Sequence, residues 1–455
     1  LQVELKKNKF HFKNPVQLIV SSFFLVALVG GLILTLPICS RDGNFTNFVD
    51  AFFTATSATC VTGLVVFDTY SKWTVFGQII ILLLIQVGGL GLVTITTFFN
   101  LIIGKKLGFR SSALASESAN STSIFNSVKL IKTVVIVSLC FELVGALLLS
   151  IKFVPLYGLK GVFISIFMSV SAFCNAGFDL LGFLGQYSSL VAFNNSPLVL
   201  YTIMGLIICG GLGFVVWQDI FNFRKNKKLV FHTKIVLIMT GVLIVSGLIA
   251  FLVFEWSNPI TLKNMPLMDK INNALFQSVT TRTAGFNSID NAGLNNTSKM
   301  FSIILMFFGA APGSTGGGVK VTTMAVIIMT VFCIVRGKND TEILGKRIEQ
   351  STVYKAISVV FLGLSALFIS TSLILFVNST FPIITPINTL FETTSAFATV
   401  GLTTGVTAVS NIISKYTLIL LMLLGRVGPV SLFVAIALKS ENRNTIKPDG
   451  KLLVG

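Results

Sequence analysis

Charge is scarce in this chain. Of its 455 residues, 11% are charged and 53% are hydrophobic, and the mean hydropathy is +0.87. Soluble domains carry about 25% charged residues, so the chain reads as an integral membrane protein with little length left for a soluble domain. Acid is scarcer still, with 17 Asp and Glu against 34 Lys and Arg. At membrane depth the carboxylates reduce essentially to Glu142 and Glu392, whereas a coupled carrier usually shows a pair there. Histidine occurs only as His11 and His232, both beside basic loops, which removes most His-based catalysis and metal binding. No nucleophile motif replaces it, so an enzyme is not expected. The six cysteines (Cys39, Cys60, Cys140, Cys174, Cys209 and Cys333) show no paired spacing and mostly fall in predicted helices, against a disulfide or metal framework. No cleavable signal peptide is expected, because the basic first residues run directly into a spanning segment. Leu1 in place of Met suggests a processed or trimmed chain.

The positive charge is distributed by topology. A net charge of +17 raises the question of nucleic acid, but no groove-reading motif accompanies it, and no nucleic-acid partner is expected. One set of loops is consistently basic: Lys6, Lys7, Lys9 and Lys13; Lys105, Lys106 and Arg110; Arg224, Lys225, Lys227 and Lys228; Arg336, Lys338, Lys346 and Arg347; and Lys439, Arg443, Lys447 and Lys451. The alternate set is poor in Lys and Arg. That bias predicts a multi-pass protein of the plasma membrane with both termini cytoplasmic, whose basic loops contact anionic lipid.

Four short runs then set the architecture. Each is a stretch of small, hydroxylic and aromatic residues that breaks at one glycine followed by a large apolar residue. They end at Gly63-Leu64, Gly177-Phe178, Gly285-Phe286 and Gly401-Leu402, at nearly equal intervals. Regular spacing of this kind marks an internal repeat. Each run is too short to span a bilayer and lies between two apolar segments of spanning length. Residues 16–38, 129–154, 230–254 and 353–377 are the first helices of the repeats, and 75–103, 197–222, 300–335 and 411–438 are the second. The predicted fold class is an all-α integral membrane protein. It has four parallel helix–pore-loop–helix repeats, with eight transmembrane helices and four re-entrant half-helices, around a pseudo-fourfold pore. The chain divides into a basic N-terminus (1–15), repeats at 16–115, 116–228, 229–345 and 346–438, and a C-terminal tail (439–455). Asn47 and Asp269 are expected N-caps of the first and third half-helices, and Thr389-Leu-Phe-Glu392 reads as a capping box for the fourth. The half-helices then point their negative dipole ends at the membrane centre, which favours a cation there.

The loops closing these runs are the candidate ion site. A cation sheds water only where oxygens replace it, and backbone carbonyls do this in cation filters. Turning successive carbonyls to one side needs conformations that glycine adopts cheaply. Thus Cys60, Val61, Thr62 and Gly63; Cys174, Asn175, Ala176 and Gly177; Arg282, Thr283, Ala284 and Gly285; and Ala398, Thr399, Val400 and Gly401 read as four coordinating strands. Arg282 is expected to point behind its strand toward a carboxylate such as Glu392, because a guanidinium facing the pore would repel the ion.

On these residues the chain resembles the Trk/Ktr/HKT superfamily of potassium transporters, most closely the membrane subunit of bacterial Ktr systems. The resemblance covers essentially the whole chain. It implies four helix–pore-loop–helix repeats, each with a signature glycine, here Gly63, Gly177, Gly285 and Gly401. It implies that Gly63, where sodium-selective plant members carry serine, goes with potassium preference. The implied function is gated, potassium-selective translocation by the pore subunit of an uptake system, with potassium the transported ion and no organic cofactor. Sodium enters either as an activator or, in the alternative reading, as the coupled ion of a symporter. The resemblance further implies a homodimer and a separate cytoplasmic ring of nucleotide-binding regulatory subunits.

The stretch Gly309-Ala-Ala-Pro-Gly-Ser-Thr-Gly-Gly-Gly-Val-Lys320 interrupts a segment too long for one straight span. A phosphate loop fails, since Val319 displaces the lysine, no Ser or Thr follows it, and apolar helix flanks it. Close helix packing is one reading. The other is unwound backbone, and the resemblance implies a gating loop at this point, with Gly313, Ser314, Thr315, Gly316, Gly317, Gly318 and Lys320 in it. Arg426 faces this loop in the family's pattern and would add an electrostatic barrier below the filter. Alternatively it pairs with a carboxylate, and Glu142 is a candidate partner for Arg426 or for Lys320. Gln86-Val-Gly-Gly-Leu-Gly91 and Cys209-Gly-Gly-Leu-Gly213 read as small-residue faces for close helix approach.

Overall fold

The computed structural model describes residues 15–91, 94, 124–378 and 381–428. The regular elements among these residues are helices apart from one short ribbon pairing Glu342–Ile343 with Lys346–Arg347. In chain order the first third contains α1 (Pro15–Thr35), α2 (Phe48–Thr59), α3 (Val75–Leu90), α4 (Ile124–Tyr157) and α5 (Leu159–Phe173). The middle contains α6 (Pro197–Gly211), α7 (Phe214–Asn226), α8 (Phe231–Glu255), α9 (Leu267–Thr280), α10 (Asn296–Phe307) and α11 (Val321–Val335). The last part contains α12 (Gln350–Val377), α13 (Pro386–Phe397) and α14 (Ile412–Val427). Among the described residues, three helices are long and apolar enough to cross a membrane: α4 from Ile131, α8 and α12. The basic termini, the loop at 105–110 and the tail 439–455 lie outside the described residues, as do the ends of the predicted segments 75–103 and 411–438.

The polarity of the fold is inverted relative to a soluble protein. The short helices α2, α5, α9 and α13 lie inside, and their hydroxyls go with them: Thr54, Thr56, Ser57 and Thr59 of α2 are all buried. The long helices turn apolar side chains outward, as with Phe361, Phe368, Ile369 and Phe376 of α12. Such a surface is stable where the solvent is hydrocarbon.

Glycines let the long helices close on the short ones. Gly31 of α1 packs on Phe52 of α2, Gly145 of α4 on Ser169 of α5, Gly247 of α8 on Ser278 of α9, and Gly363 of α12 on Phe397 of α13. From the other side, Gly88, Gly210 and Gly425 press against the carbonyls of Thr59, Phe173 and Phe397, leaving no room for a Cβ. The Gly-Gly-Leu-Gly segments thus do permit close approach.

They also end helices. Gly91 (φ 82, ψ 132), Gly213 (φ 90, ψ 143) and Gly428 (φ 92, ψ 135) share one conformation that L side chains rarely adopt. The segment 197–222 is therefore not one straight helix: α6 and α7 meet at 93°. The segment 300–335 does break as the glycine content predicts, between Phe307 and Val321.

Capping differs from expectation in two of the three cases. The Asn47 side chain does accept the Val49 N–H at 2.9 Å. Asp269, however, sits in the first turn of α9 behind Pro266 at the N-cap. At α13 the N-cap is Thr385, which accepts from Asn388 N–H at 3.3 Å, with Pro386 opening the helix. Proline favours the first helical position, since its missing N–H would have no partner there. Thr389 is therefore inside the helix, and Glu392 is free for a different task.

Candidate functional site

The C-terminal ends of the four short helices converge. Immediately after each helix, one residue takes a left-handed conformation: Val61 (φ 58), Asn175 (φ 60), Thr283 (φ 67) and Thr399 (φ 51). Two residues later the glycine does the same: Gly63 (φ 91), Gly177 (φ 69), Gly285 (φ 82) and Gly401 (φ 91). Four unrelated local sequences thus share one backbone path. For β-branched Val61, Thr283 and Thr399 such a φ is strained and persists only where the surroundings impose it.

The glycines form a closed ring. A Cβ on Gly63 would collide with the Ala176 carbonyl oxygen, and one on Gly177 would lie 2.9 Å from that of Ala284. One on Gly285 would lie 2.5 Å from the Val400 oxygen, and one on Gly401 would collide with that of Thr62. The order 63, 177, 285, 401 and back to 63 brings together all four strands singled out in the sequence.

The strand N–H groups are used inward, toward the helix ends. Thr62 N donates to Ser57 O at 2.8 Å, Ala176 N to Ser171 O at 2.7 Å, and Val400 N to Ser395 O at 2.8 Å. The third strand is one residue tighter, with Ala284 N donating to Thr280 O at 3.0 Å. Serine hydroxyls complete the pattern. Ser57 Oγ accepts from Gly63 N at 3.1 Å and Ser395 Oγ from Gly401 N at 3.0 Å, while Ser171 Oγ donates to Phe178 O at 2.7 Å. With these amides occupied, the strand carbonyls are the groups left to meet a cation. These serines were not singled out from the sequence. Their signal was there, as serine stands six residues before the glycine in three of the four runs.

The glycine-rich stretch lies against the first residues of these strands. Gly317 N donates to Thr399 Oγ1 at 3.0 Å, and Thr315 Oγ1 to Phe173 O at 3.2 Å. Gly316 packs on Thr283, and Gly318 on Ala398. Its backbone is unwound but not free. Ala311 N donates to Gly211 O at 3.0 Å, Thr315 N to Gly210 O at 3.3 Å, Gly318 N to Gly425 O at 3.2 Å, and Phe214 N to Gly313 O at 2.9 Å. The broken helices supply these partners, because a helix that stops at Gly211 or before Gly428 leaves its last carbonyls open, and one that starts at Phe214 leaves its first N–H open.

Two cations hold the same stretch. Arg426 donates to the carbonyls of Thr315 and Gly88, and to that of Gly89 at 3.3 Å. Lys320 Nζ donates to Gly316 O at 2.8 Å and Gly317 O at 3.3 Å. Neither pairs with Glu142, so both carboxylate pairings considered above fail. Backbone carbonyls freed by the broken helices take the place of an acid. Glu142 instead accepts from Gln86 Nε2 at 3.1 and 3.2 Å. The Cys174 thiol points to Gln86 Oε1 at 3.8 Å and Glu142 Oε1 at 3.9 Å, behind the second strand.

Arg282 lies behind its strand, but not toward Glu392. Among the described residues its guanidinium reaches only the Gly309 carbonyl, at 3.5 Å. Glu392 is already saturated by the loop beyond the fourth strand. It accepts from Thr403 Oγ1 at 2.7 Å, Thr404 N at 3.0 Å, Thr407 N at 3.1 Å and the Thr407 hydroxyl. Among the described residues no group of three or more His, Cys, Asp or Glu side chains could hold a metal ion.

The TrkH family, described as cation transport protein, matches residues 2–446. The Ktr system potassium uptake protein B of Bacillus subtilis is 39% identical, over 97% of each chain. The potassium/sodium uptake protein NtpJ of Enterococcus hirae is 38% identical, over 99% of each chain. Among solved structures, the potassium transporter TrkH from Vibrio parahaemolyticus superposes with a TM-score of 0.70 at 17% identity, over 95% of this chain and 86% of that one.

Proposed function

This chain belongs to the TrkH family of cation transport proteins, and from that premise we propose that it is the pore-forming subunit of a potassium uptake system. The observation that carries the reading is the closed ring of Gly63, Gly177, Gly285 and Gly401. The four strands then form one selectivity filter on the axis of a pseudo-fourfold pore, within four helix–pore-loop–helix repeats. Potassium is translocated there, its water replaced by strand carbonyls. The inward dipole ends of α2, α5, α9 and α13 stabilise it. A serine at Gly63 would bring a Cβ against the Ala176 carbonyl, which supports potassium preference through an undistorted strand.

The stretch 309–320, with Lys320 and Arg426, is the gate. Its hydrogen bonds to Gly210, Gly211, Gly425 and Thr399 support a closed position under the filter. Opening exchanges those bonds for water in a wet pore, which is where unwound backbone is tolerated at membrane depth. The positive-inside bias supports cytoplasmic termini. A homodimer and a cytoplasmic nucleotide-binding ring would supply the work of opening.

The test is flux into liposomes holding the purified chain, with potassium and sodium offered separately and in competition. Potassium entry that sodium does not match supports the reading. Equal entry of both ions removes the filter assignment, and potassium entry that strictly requires a sodium gradient favours the coupled carrier.

A further inference from the structure

A groove of about 1110 Å³ opens on the flank of the protein between the N-terminus of α3 and the junction of α4 with α5. Its wall is mostly apolar, with Val75, Phe163 and Leu180 among the lining side chains, and two cations, Arg41 and Lys160, also line it. Around it the surface is apolar and open: Leu159 is 90% exposed, and Val162 and Ile166 beyond it are also exposed. It is larger than the ~300–1,000 Å³ usual for a small-molecule cleft. In the proposed pore its rim stands at the outer end of a half-helix, so the groove faces the outer leaflet.

The two cations are held ready. Arg41 Nε donates to Trp73 O at 3.1 Å, and its guanidinium lies 4.2 Å from the centre of the Tyr70 ring. These contacts fix the fork and leave its terminal nitrogens free of any carboxylate, for the adjacent Asp42 is engaged by Lys72 at 2.6 Å. Lys160 makes no ion pair among the described residues. It sits in the first turn of α5, whose N-cap is Gly158 with no side-chain cap and whose first turn holds no acid. A cation there opposes the helix dipole, and an anion bound beside it would reverse the sign of that interaction.

We propose that this groove binds one anionic phospholipid, its phosphate between Arg41 and Lys160 and its acyl chains along the apolar wall. An apolar trough lined also by two exposed cations matches a molecule with one charged end and flexible chains. The outer-leaflet position rests on the pore reading, but binding itself does not require transport.

Native mass spectrometry of the full chain in detergent tests this, with phosphatidylglycerol and phosphatidylcholine competing. The parent should keep one phosphatidylglycerol in preference to phosphatidylcholine. Arg41→Gln with Lys160→Gln should lower that preference about tenfold, while Arg41→Lys with Lys160→Arg should retain it. Lys263→Gln, an exposed lysine on another loop, should leave it intact. Phe163→Ala, with both cations present, should weaken retention of either lipid. No preference in the parent, or an unchanged preference in the double Gln variant, overturns the proposal. Unchanged retention in Phe163→Ala overturns the groove as the seat of the chains. Since the readout is bound lipid, a chain that fails to carry potassium but keeps phosphatidylglycerol refutes the pore reading alone.

Discussion

Arg426 and Thr315 are joined guanidinium to carbonyl, while the same side chain reaches the Gly88 and Gly89 carbonyls. One side chain therefore links the end of α14, the glycine-rich stretch and the end of α3. A planar fork with several donors suits three separate carbonyls, and a lysine would satisfy fewer. Arg426→Gln should loosen the gate and remove a positive barrier together. Potassium flux in liposomes should rise on the order of 3- to 10-fold, about what a lowering of the barrier by 1 kcal/mol gives, with potassium-over-sodium selectivity unchanged. Arg426→Lys should fall between. A folded Arg426→Gln protein with parental flux would take Arg426 out of the gate.

The filter glycines should differ from glycines elsewhere. Gly63→Ser and Gly401→Ala each place a Cβ against a neighbouring strand's carbonyl at a φ of 91. Both should admit sodium more readily. Gly205 is the proper comparison, since nothing lies within 4 Å of a Cβ added there. Gly205→Ala should keep parental selectivity, whereas Gly30, which abuts Leu84, would confound packing with selectivity. The ratio of potassium to sodium entry is the measurement.

Glu392 holds the loop after Gly401 through Thr403, Thr404 and Thr407. Charge-assisted bonds are worth more than neutral ones. Glu392→Gln also sets an amide donor against the hydroxyls and N–H groups now pointing at the carboxylate. The variant should lose about 2–4 kcal/mol of stability, read as a lower thermal unfolding midpoint in detergent. Gly401 lies in the strand that this loop follows, so selectivity should fall as well. Unfolding at the parental temperature would show that the loop is held otherwise.

Deleting Gly313 to Gly318 should raise flux at unchanged selectivity, because the strands above stay in place. The bonds from Phe214 N to Gly313 O and from Gly318 N to Gly425 O would be lost with it, so the deletion protein should also unfold at a lower temperature. A milder cut is Thr399→Val, which removes the acceptor for Gly317 N and leaves the chain length unaltered. It should raise flux less than the deletion does. Lower flux in a folded deletion protein would mean that the stretch supports conduction.

The sequence by itself determined the membrane class, the four glycine-ended runs and the glycine-rich interruption. Each of these is written in local periodicity and composition: a run too short to span, a glycine at its end, a helix too long and too rich in glycine to stay whole. It also located the small-residue faces of the Gly-Gly-Leu-Gly segments. It could not give partners. Arg282 and Glu392 are a natural pair on charge alone, yet Glu392 turns to Thr403, Thr404 and Thr407, and Arg426 finds carbonyls in place of Glu142. The reason is that a helix break frees carbonyls whose position depends on three other helices, and no local pattern encodes that. The 93° turn between α6 and α7 is the same case. Gly213 permits it, but Gly313 O accepting from Phe214 N is what the tertiary structure adds. Local conformational freedom was legible in the residues, and the use made of it was decided only when the helices closed on one another.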